Sequence, residues 1–268
     1  MSIATDRIRA IAVGNFDGMH PGHRALFDRL GEGGAVAVIE HYRATLTPGA
    51  YRAEHVALPL FFYDFSRIRS LSPESFVRML HRHFPDLARI VVGEDFRFGA
   101  DRAGDAALLA ALFGGEVVTV EEVCYEKRGI HSRHIRKALA EGDLTLANGM
   151  LGRPYECVGE VIRGQGIGSR ALVPTMNLRT GRFMLPAAGV YRTQTAVAGR
   201  WYRSVTFVGH RLSTDGRFAV ETHLIDATPP SVAAVRVRWL DRLRANRRFE
   251  SFEALKAQIE KDIIDAAG

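Results

Sequence analysis

The 268-residue chain is 47% hydrophobic and 25% charged, which supplies a sizeable core and the balance of an ordinary soluble protein. Its formal net charge is +6, which favours anionic partners such as nucleotides or phosphates. No apolar stretch is long enough for a membrane span, and the N-terminal apolar run is too short for a signal-peptide core, so the expectation is a cytoplasmic protein. The two cysteines, Cys124 and Cys157, have no zinc-type spacing and read as buried and reduced.

In chain order, residues 8–13 are apolar except for Arg9 and end in Gly14, as expected of a strand buried on both faces. Residues 23–30 read as a helix and 35–40 as a second strand. Residues 72–84 open with "SPES", a capping serine followed by proline and glutamate, and carry an apolar stripe of Phe76, Val77, Leu80 and Phe84. Residues 90–93 are a third strand, 105–113 a helix and 116–123 a fourth strand. This alternation predicts a parallel sheet with helices on its faces. Helices over 132–140 and 144–151 follow, and "LGRPYE" then marks the expected domain boundary. Beyond it come period-two segments, "ECVGEVIRG", "GVYRTQTAVAG", "WYRSVTFVG", "RFAVETHLID" and "AAVRVRWLD", which predict an antiparallel barrel. A C-terminal helix capped by Ser251 has Phe252, Leu255, Ile259 and Ile263 on one face.

The stretch "GNFDGMHPGH" occupies residues 14–23, where the first strand gives way to a helix. Ligands of open parallel sheets bind at the carboxyl ends of strands, and helix starts suit phosphate. With Pro21 in the first turn, His20 and His23 project to one side, and Gly22 lets the backbone approach a bulky anion. Such histidines can stabilise charge developing on a phosphate. No G-x-x-x-x-G-K-[ST] sequence is present, so the sequence does not support a P-loop enzyme.

These motifs together resemble the bacterial bifunctional riboflavin kinase/FMN adenylyltransferase (FAD synthetase) family. "GNFDGMHPGH", "VVGEDFRFGADRAGD", "HSRHIRKALAEGDLTLANGMLGRPY", "GEVIRGQGIGSRALVPTMNL", "LPAAGVYR" and "FAVETHLID" follow in family order along nearly the whole chain. The resemblance implies a Rossmann-like nucleotidyltransferase domain over residues 1–153. A six-stranded antiparallel riboflavin-kinase barrel with a C-terminal helix would then occupy 154–268. It implies ATP-dependent phosphorylation of riboflavin to FMN and adenylylation of FMN to FAD, with Mg²⁺. Riboflavin, FMN and ATP would be the partners, with neither a membrane nor nucleic acid among them. By the same resemblance His20, His23 and Arg136 act in adenylyl transfer. Gly14, Asn15, Phe16, Asp17, Gly22 and Ser132 contact the nucleotide there, and Asp95, Phe98 and Arg102 contact flavin. In the kinase half Gly164, Gly166 and Gly168 form the phosphate loop, and Glu221 accepts the proton of the riboflavin 5′-hydroxyl. Thr175 and Asn177 are hard oxygen donors suited to Mg²⁺.

The chain departs from the family pattern at several points. "VIEHYRATLTPG" stands where a Phe-x-Pro-His-Pro segment is usual, and His131 and Arg133 replace Ser and Thr in the third block. "ATPPS" stands where Leu-Tyr-Gly is usual. Two alternatives therefore stay open from the sequence: a single working half, or a non-catalytic flavin or nucleotide sensor. The longest basic cluster, "RANRR", is short for a nucleic-acid surface.

Overall fold

The computed structural model describes residues 5–162, 173–213, 215–228 and 231–268. Two compact units divide the chain: one runs to Arg43 and from Thr47 to Ser132, and the other comprises Ala44–Leu46 and Arg133–Gly268.

The first unit contains β1 (Ala10–Gly14), α1 (Pro21–Phe27), β2 (Gly34–Glu40), β3 (Leu60–Asp64) and α2 (Phe65–Ile68). It continues with α3 (Pro73–His83), β4 (Arg89–Gly93), α4 (Ala106–Phe113) and β5 (Glu116–Val120). The strands are parallel, in the order β3-β2-β1-β4-β5. Alternate residues of β1 and β2 serve opposite faces. Ile11, Val13, Ala35 and Ala37 join Phe76, Leu80 and Leu109 in one core, while Ala10, Ala12, Val36 and Val38 join Phe16, Phe27 and Leu30 in the other. A strand covered on both sides must be apolar at every position, which is why 10–13 reads as an unbroken run and the exposed Arg9 falls just before the strand. Ser72 caps α3 by accepting from Ser75 N at 3.2 Å.

Three local expectations change. Helix α1 starts at Pro21 and ends at Phe27, earlier at both ends than 23–30. Strand β5 stops at Val120, and the chain then makes a small hairpin of β6 (Cys124–Tyr125) and β7 (Arg128–Gly129), turning through Glu126 and Lys127 in the left-handed region. Cys124 is exposed on that hairpin, whereas Cys157 is buried, accepts from Trp239 Nε1 at 3.3 Å and has its thiol pushed up to about 12 by burial.

The second unit begins on α5 (Ser132–Glu141) and α6 (Leu144–Leu151). Its strands are β8 (Tyr155–Ile162), β9 (Met176–Arg179), β10 (Gly189–Val197), β11 (Arg200–His210), β12 (Phe218–Leu224) and β13 (Ala234–Ala245). They close into an antiparallel barrel in the order β10-β11-β12-β9-β8-β13, and α7 (Phe252–Ala267) packs on its outside. Helices α5 and α6 belong with this barrel. Asn148 Nδ2 donates to Trp239 O at 3.0 Å and Asn148 Oδ1 accepts from Tyr155 N at 2.7 Å, while Ala187 N donates to Leu139 O at 2.9 Å.

The barrel interior is not purely apolar. Thr193, Thr195, Ser204, Thr206 and Thr222 are all buried. Their hydroxyl oxygens form a closed circuit: 193 to 204 at 2.8 Å, 204 to 195 at 2.8 Å, 195 to 222 at 3.1 Å, 222 to 206 at 3.0 Å and 206 to 193 at 2.7 Å. The circuit ties β10, β11 and β12 together from within, and Thr222 is the immediate neighbour of Glu221.

Candidate active sites

In the first unit a cleft opens at the carboxyl ends of β1, β4 and β5, where Gly14, Gly93 and Val120 line it. The strand order reverses between β1 and β4, and an open α/β sheet offers its ligand crevice at such a switch point. Residue His20 occupies the N-cap of α1, with φ −78° and ψ 170°, and Pro21 is the first helical residue. His23, one turn on, therefore meets His20, and the two imidazoles stack with centroids 3.6 Å apart and planes 24° from parallel. Phe16 meets the His23 ring edge-on at 5.2 Å. A helix of seven residues carries only a small dipole.

Among the expected nucleotide residues, Gly14, Asn15, Phe16, Gly22 and Ser132 line this cleft with His20 and His23. Asp17 does not line it. It is fully buried, its Oδ1 accepts from Thr47 N at 3.1 Å and its carbonyl accepts from Ser132 Oγ at 2.7 Å, so it holds the loop from beneath. Of the three expected flavin residues only Asp95 lines the cleft. Phe98 is buried in the core against Phe76 and Phe96 and pairs through its backbone with Gly104. Arg102 is exposed, on left-handed backbone with φ 59°. Arg136 is half-buried on α5 and falls within the second unit.

Glu94, Glu122 and His131 also line the cleft, and the sequence reading missed them. His131 Nε2 lies 2.5 Å from Glu122 Oε1, and its Nδ1 lies 3.9 Å from Asp95 Oδ2. The switch-point rule itself was the available signal, because it points to whatever follows β4 and β5.

In the second unit Glu221 and Asn177 are cross-strand partners of the β12–β9 ladder. Both are half-buried, between the inward-facing Val220 and Thr222 on one strand and Met176 and Leu178 on the other. Thr175, two residues before Asn177, lines the same cavity as Glu221, and α7 walls that cavity with Leu255, Ile259 and Ile263. Asn177 lines a second cleft with Arg179 and Arg217, and Arg211 borders both. Arg211 Nη1 donates to Glu221 Oε1 at 3.0 Å, and its Nη2 to Asp215 Oδ2 at 3.1 Å. Burial pushes the Glu221 carboxyl above the ordinary glutamate value, and Arg211 offsets part of that rise. Gly164, Gly166 and Gly168 lie outside the described residues.

Comparison with known proteins matches both halves. A family model described as riboflavin kinase covers residues 151–267, and one described as FAD synthetase covers 50–134. A bifunctional riboflavin kinase/FMN adenylyltransferase from Pseudomonas fluorescens is 32% identical, over 95% of this chain and 90% of its own length. The chain belongs to the bifunctional riboflavin kinase/FMN adenylyltransferase family. Relatives of the same description from Haemophilus influenzae and Escherichia coli K12 are 30% and 31% identical, each over 96% of this chain and 92% and 91% of their own. A crystal structure described as a macrolide-efflux protein from Streptococcus pneumoniae matches with a TM-score of 0.86 and 28% identity, covering 100% of this chain and 96% of that one. Among the described residues no helix is long and apolar enough to cross a membrane.

In the first cleft Gly22 lies against the His20 ring. A Cβ there would lie 3.1 Å from His20 Nδ1 and 3.2 Å from its Cε1, while His23 stacks on the same ring. Gly22→Ala is expected to displace His20 and lower FAD formation from FMN by about tenfold or more, with riboflavin phosphorylation unchanged. Flavin products separated by chromatography give both rates from one preparation.

Proposed function

We infer that this chain makes both flavin cofactors, each at its own site. It is a transferase of flavin cofactor biosynthesis, phosphorylating riboflavin to FMN and adenylylating FMN to FAD with ATP as co-substrate. The functional halves meet near residue 153. The observation that carries the kinase assignment is the Glu221–Asn177 ladder pair, which sets a carboxylate against an apolar cavity and an amide against an arginine-lined cleft.

In the kinase half the apolar wall of α7 suits the flavin ring, and the arginines suit the ATP polyphosphate. Glu221 takes the proton of the riboflavin 5′-hydroxyl as that oxygen attacks the γ-phosphorus and ADP departs. Thr175 Oγ1 and the Asn177 side-chain carbonyl, two residues apart at the start of β9, would hold Mg²⁺. Among the described residues no group of three or more His, Cys, Asp or Glu is arranged for a metal. A pair of neutral oxygens completed by phosphates is a donor set that Mg²⁺ accepts. When bound, that ion screens the phosphate charge. In the other half an FMN phosphate oxygen attacks the α-phosphorus of ATP and pyrophosphate departs. His20 and His23 donate to the charge that builds there, and Ser132 and Asp95 border the bound substrates. The anionic partners are thus nucleotides rather than nucleic acid, and the place of action is the cytoplasm.

The test is incubation of the purified chain with riboflavin, ATP and Mg²⁺, with the flavins separated by chromatography. FMN followed by FAD is expected. FMN alone marks a single working half, and no turnover together with retention on heparin marks a sensor.

The kinase rate is expected to depend on pH through Glu221, which must be ionised to act. Its carboxyl sits above the ordinary value of 4.5, so FMN formation should fall on acidification with a midpoint above 4.5. Stability runs the other way. A raised folded-state value means the carboxyl favours folding most below the unfolded value and loses that contribution as pH rises through the folded one. Initial rates at saturating ATP across pH check the first statement, and thermal midpoints over the same range check the second.

A further inference from the structure

The loop joining β1 to α1 contains two non-glycine residues on left-handed backbone, Phe16 at φ 49° and Met19 at φ 45°, both buried. Such residues are held there by their surroundings, and strain of this kind gathers at functional sites. Besides Ser132, which donates to the Asp17 carbonyl, the polar contacts to this loop come from one segment, the end of β2 and the turn that follows it. Arg52, 0% exposed, donates from Nε to Phe16 O at 3.3 Å. Its Nη1 donates to Glu40 Oε2 at 2.6 Å and to Gly49 O at 3.3 Å, and Glu40 Oε2 also accepts from Gly49 N at 3.2 Å. Thr47 Oγ1 accepts from Gly18 N at 2.8 Å, and Thr47 N donates to Asp17 Oδ1 at 3.1 Å. Residues 16, 17 and 18 are therefore each gripped by the 40–52 segment, which is where the chain departs from the family's Phe-x-Pro-His-Pro pattern.

A buried ion pair is a poor device for stability alone. An apolar pair of similar volume does as well, and here Arg52 Nη2 has no hydrogen-bond partner among the described residues. What an apolar pair lacks is a donor for the carbonyl of a strained residue. The Phe16 ring in turn packs against His23, with centroids 5.2 Å apart and planes 87° apart, and against Phe27 at 5.1 Å.

We propose that Arg52, fixed by Glu40, is a positioning residue for adenylyl transfer, holding Phe16 so that its ring fixes the orientation of His23. The proposal rests on reading this cleft as the adenylyl-transfer site. Arg52→Lys keeps a cation facing Glu40 and loses the Nε donor to Phe16. FAD formation from FMN is expected to fall about 10- to 100-fold in kcat, with KM for ATP changed less than about threefold and FMN formation at the parent rate. The double variant Glu40→Gln with Arg52→Met removes both charges and keeps an acceptor for Gly49 N. It is expected to match the parent in thermal midpoint and remain as slow as Arg52→Lys. A merely structural pair predicts that kcat returns with stability. Parent kcat in either folded variant, or a loss confined to KM, overturns the proposal. His23→Ala is assayed alongside: if that variant keeps FAD formation, the assignment of the cleft fails, independently of the Arg52 result.

Discussion

A His23→Ala chain is expected to lose FAD formation by two to three orders of magnitude while phosphorylating riboflavin at the parent rate. The ring lies in the first-unit cleft, stacked on His20 at 3.6 Å and backed by Phe16. Alanine removes one preorganised donor to the phosphate and also the surface on which His20 rests, so the loss should exceed that of one hydrogen bond. The kinase residues lie in the other unit and serve as the internal control. Supplying riboflavin and ATP should make FMN accumulate where the parent passes on to FAD. Loss of FMN formation in a folded His23→Ala chain would contradict the two-site reading.

Glu221→Gln is expected to slow FMN formation by roughly two to four orders of magnitude and to leave FAD formation from supplied FMN unchanged. The amide keeps the shape of the carboxylate and still accepts from Arg211, but it takes no proton from the 5′-hydroxyl. ATP affinity, measured by calorimetry in the presence of Mg²⁺, should stay near the parent value, because the proposed phosphate and metal contacts come from other side chains, Thr175 and Asn177, and not from Glu221. The fold should not suffer. Burial holds the carboxyl of Glu221 above its ordinary value, so the ionised form costs stability near neutral pH and its removal relieves that cost. A slow variant with an equal or higher thermal midpoint is the combination that marks a proton acceptor. Near-normal FMN output would remove Glu221 from the chemistry, and collapse of ATP affinity would move it into the metal site.

Much of this was legible in the sequence, for physical reasons that differ between elements. β1 and β2 announce themselves because strands covered on both faces must be apolar throughout, and α3 because its cap and stripe are local. β3 was not legible. It is an edge strand with Phe62 exposed, so its pattern "LFFYD" shows neither clean alternation nor full burial. The apolar stripe of α5 shows that the helix buries a face and says nothing of the neighbour, which is why its grouping with the barrel had to come from the structure. Spacing sufficed for His20 and His23, since two residues one turn apart at a helix start must meet. It could not separate residues that face the cleft from those that brace it, and Asp17 and Phe98 turned out to brace. His131, Glu122 and Asp95 are brought together by three separate loops, which no single stretch of sequence records.

The circuit of five hydroxyls inside the barrel has a consequence for how this chain can diverge. Replacing one member by a hydrocarbon leaves two neighbours each short of a partner in a place water does not reach, at a cost of about 1–3 kcal/mol. Replacing all five together removes the debt along with the partners. The interior therefore has two comfortable compositions, wholly hydroxylated and wholly aliphatic, separated by mixtures that are worse than either. Descendants of this sequence can drift freely at its solvent-facing positions, yet Thr193, Thr195, Ser204, Thr206 and Thr222 should persist or vanish as a set.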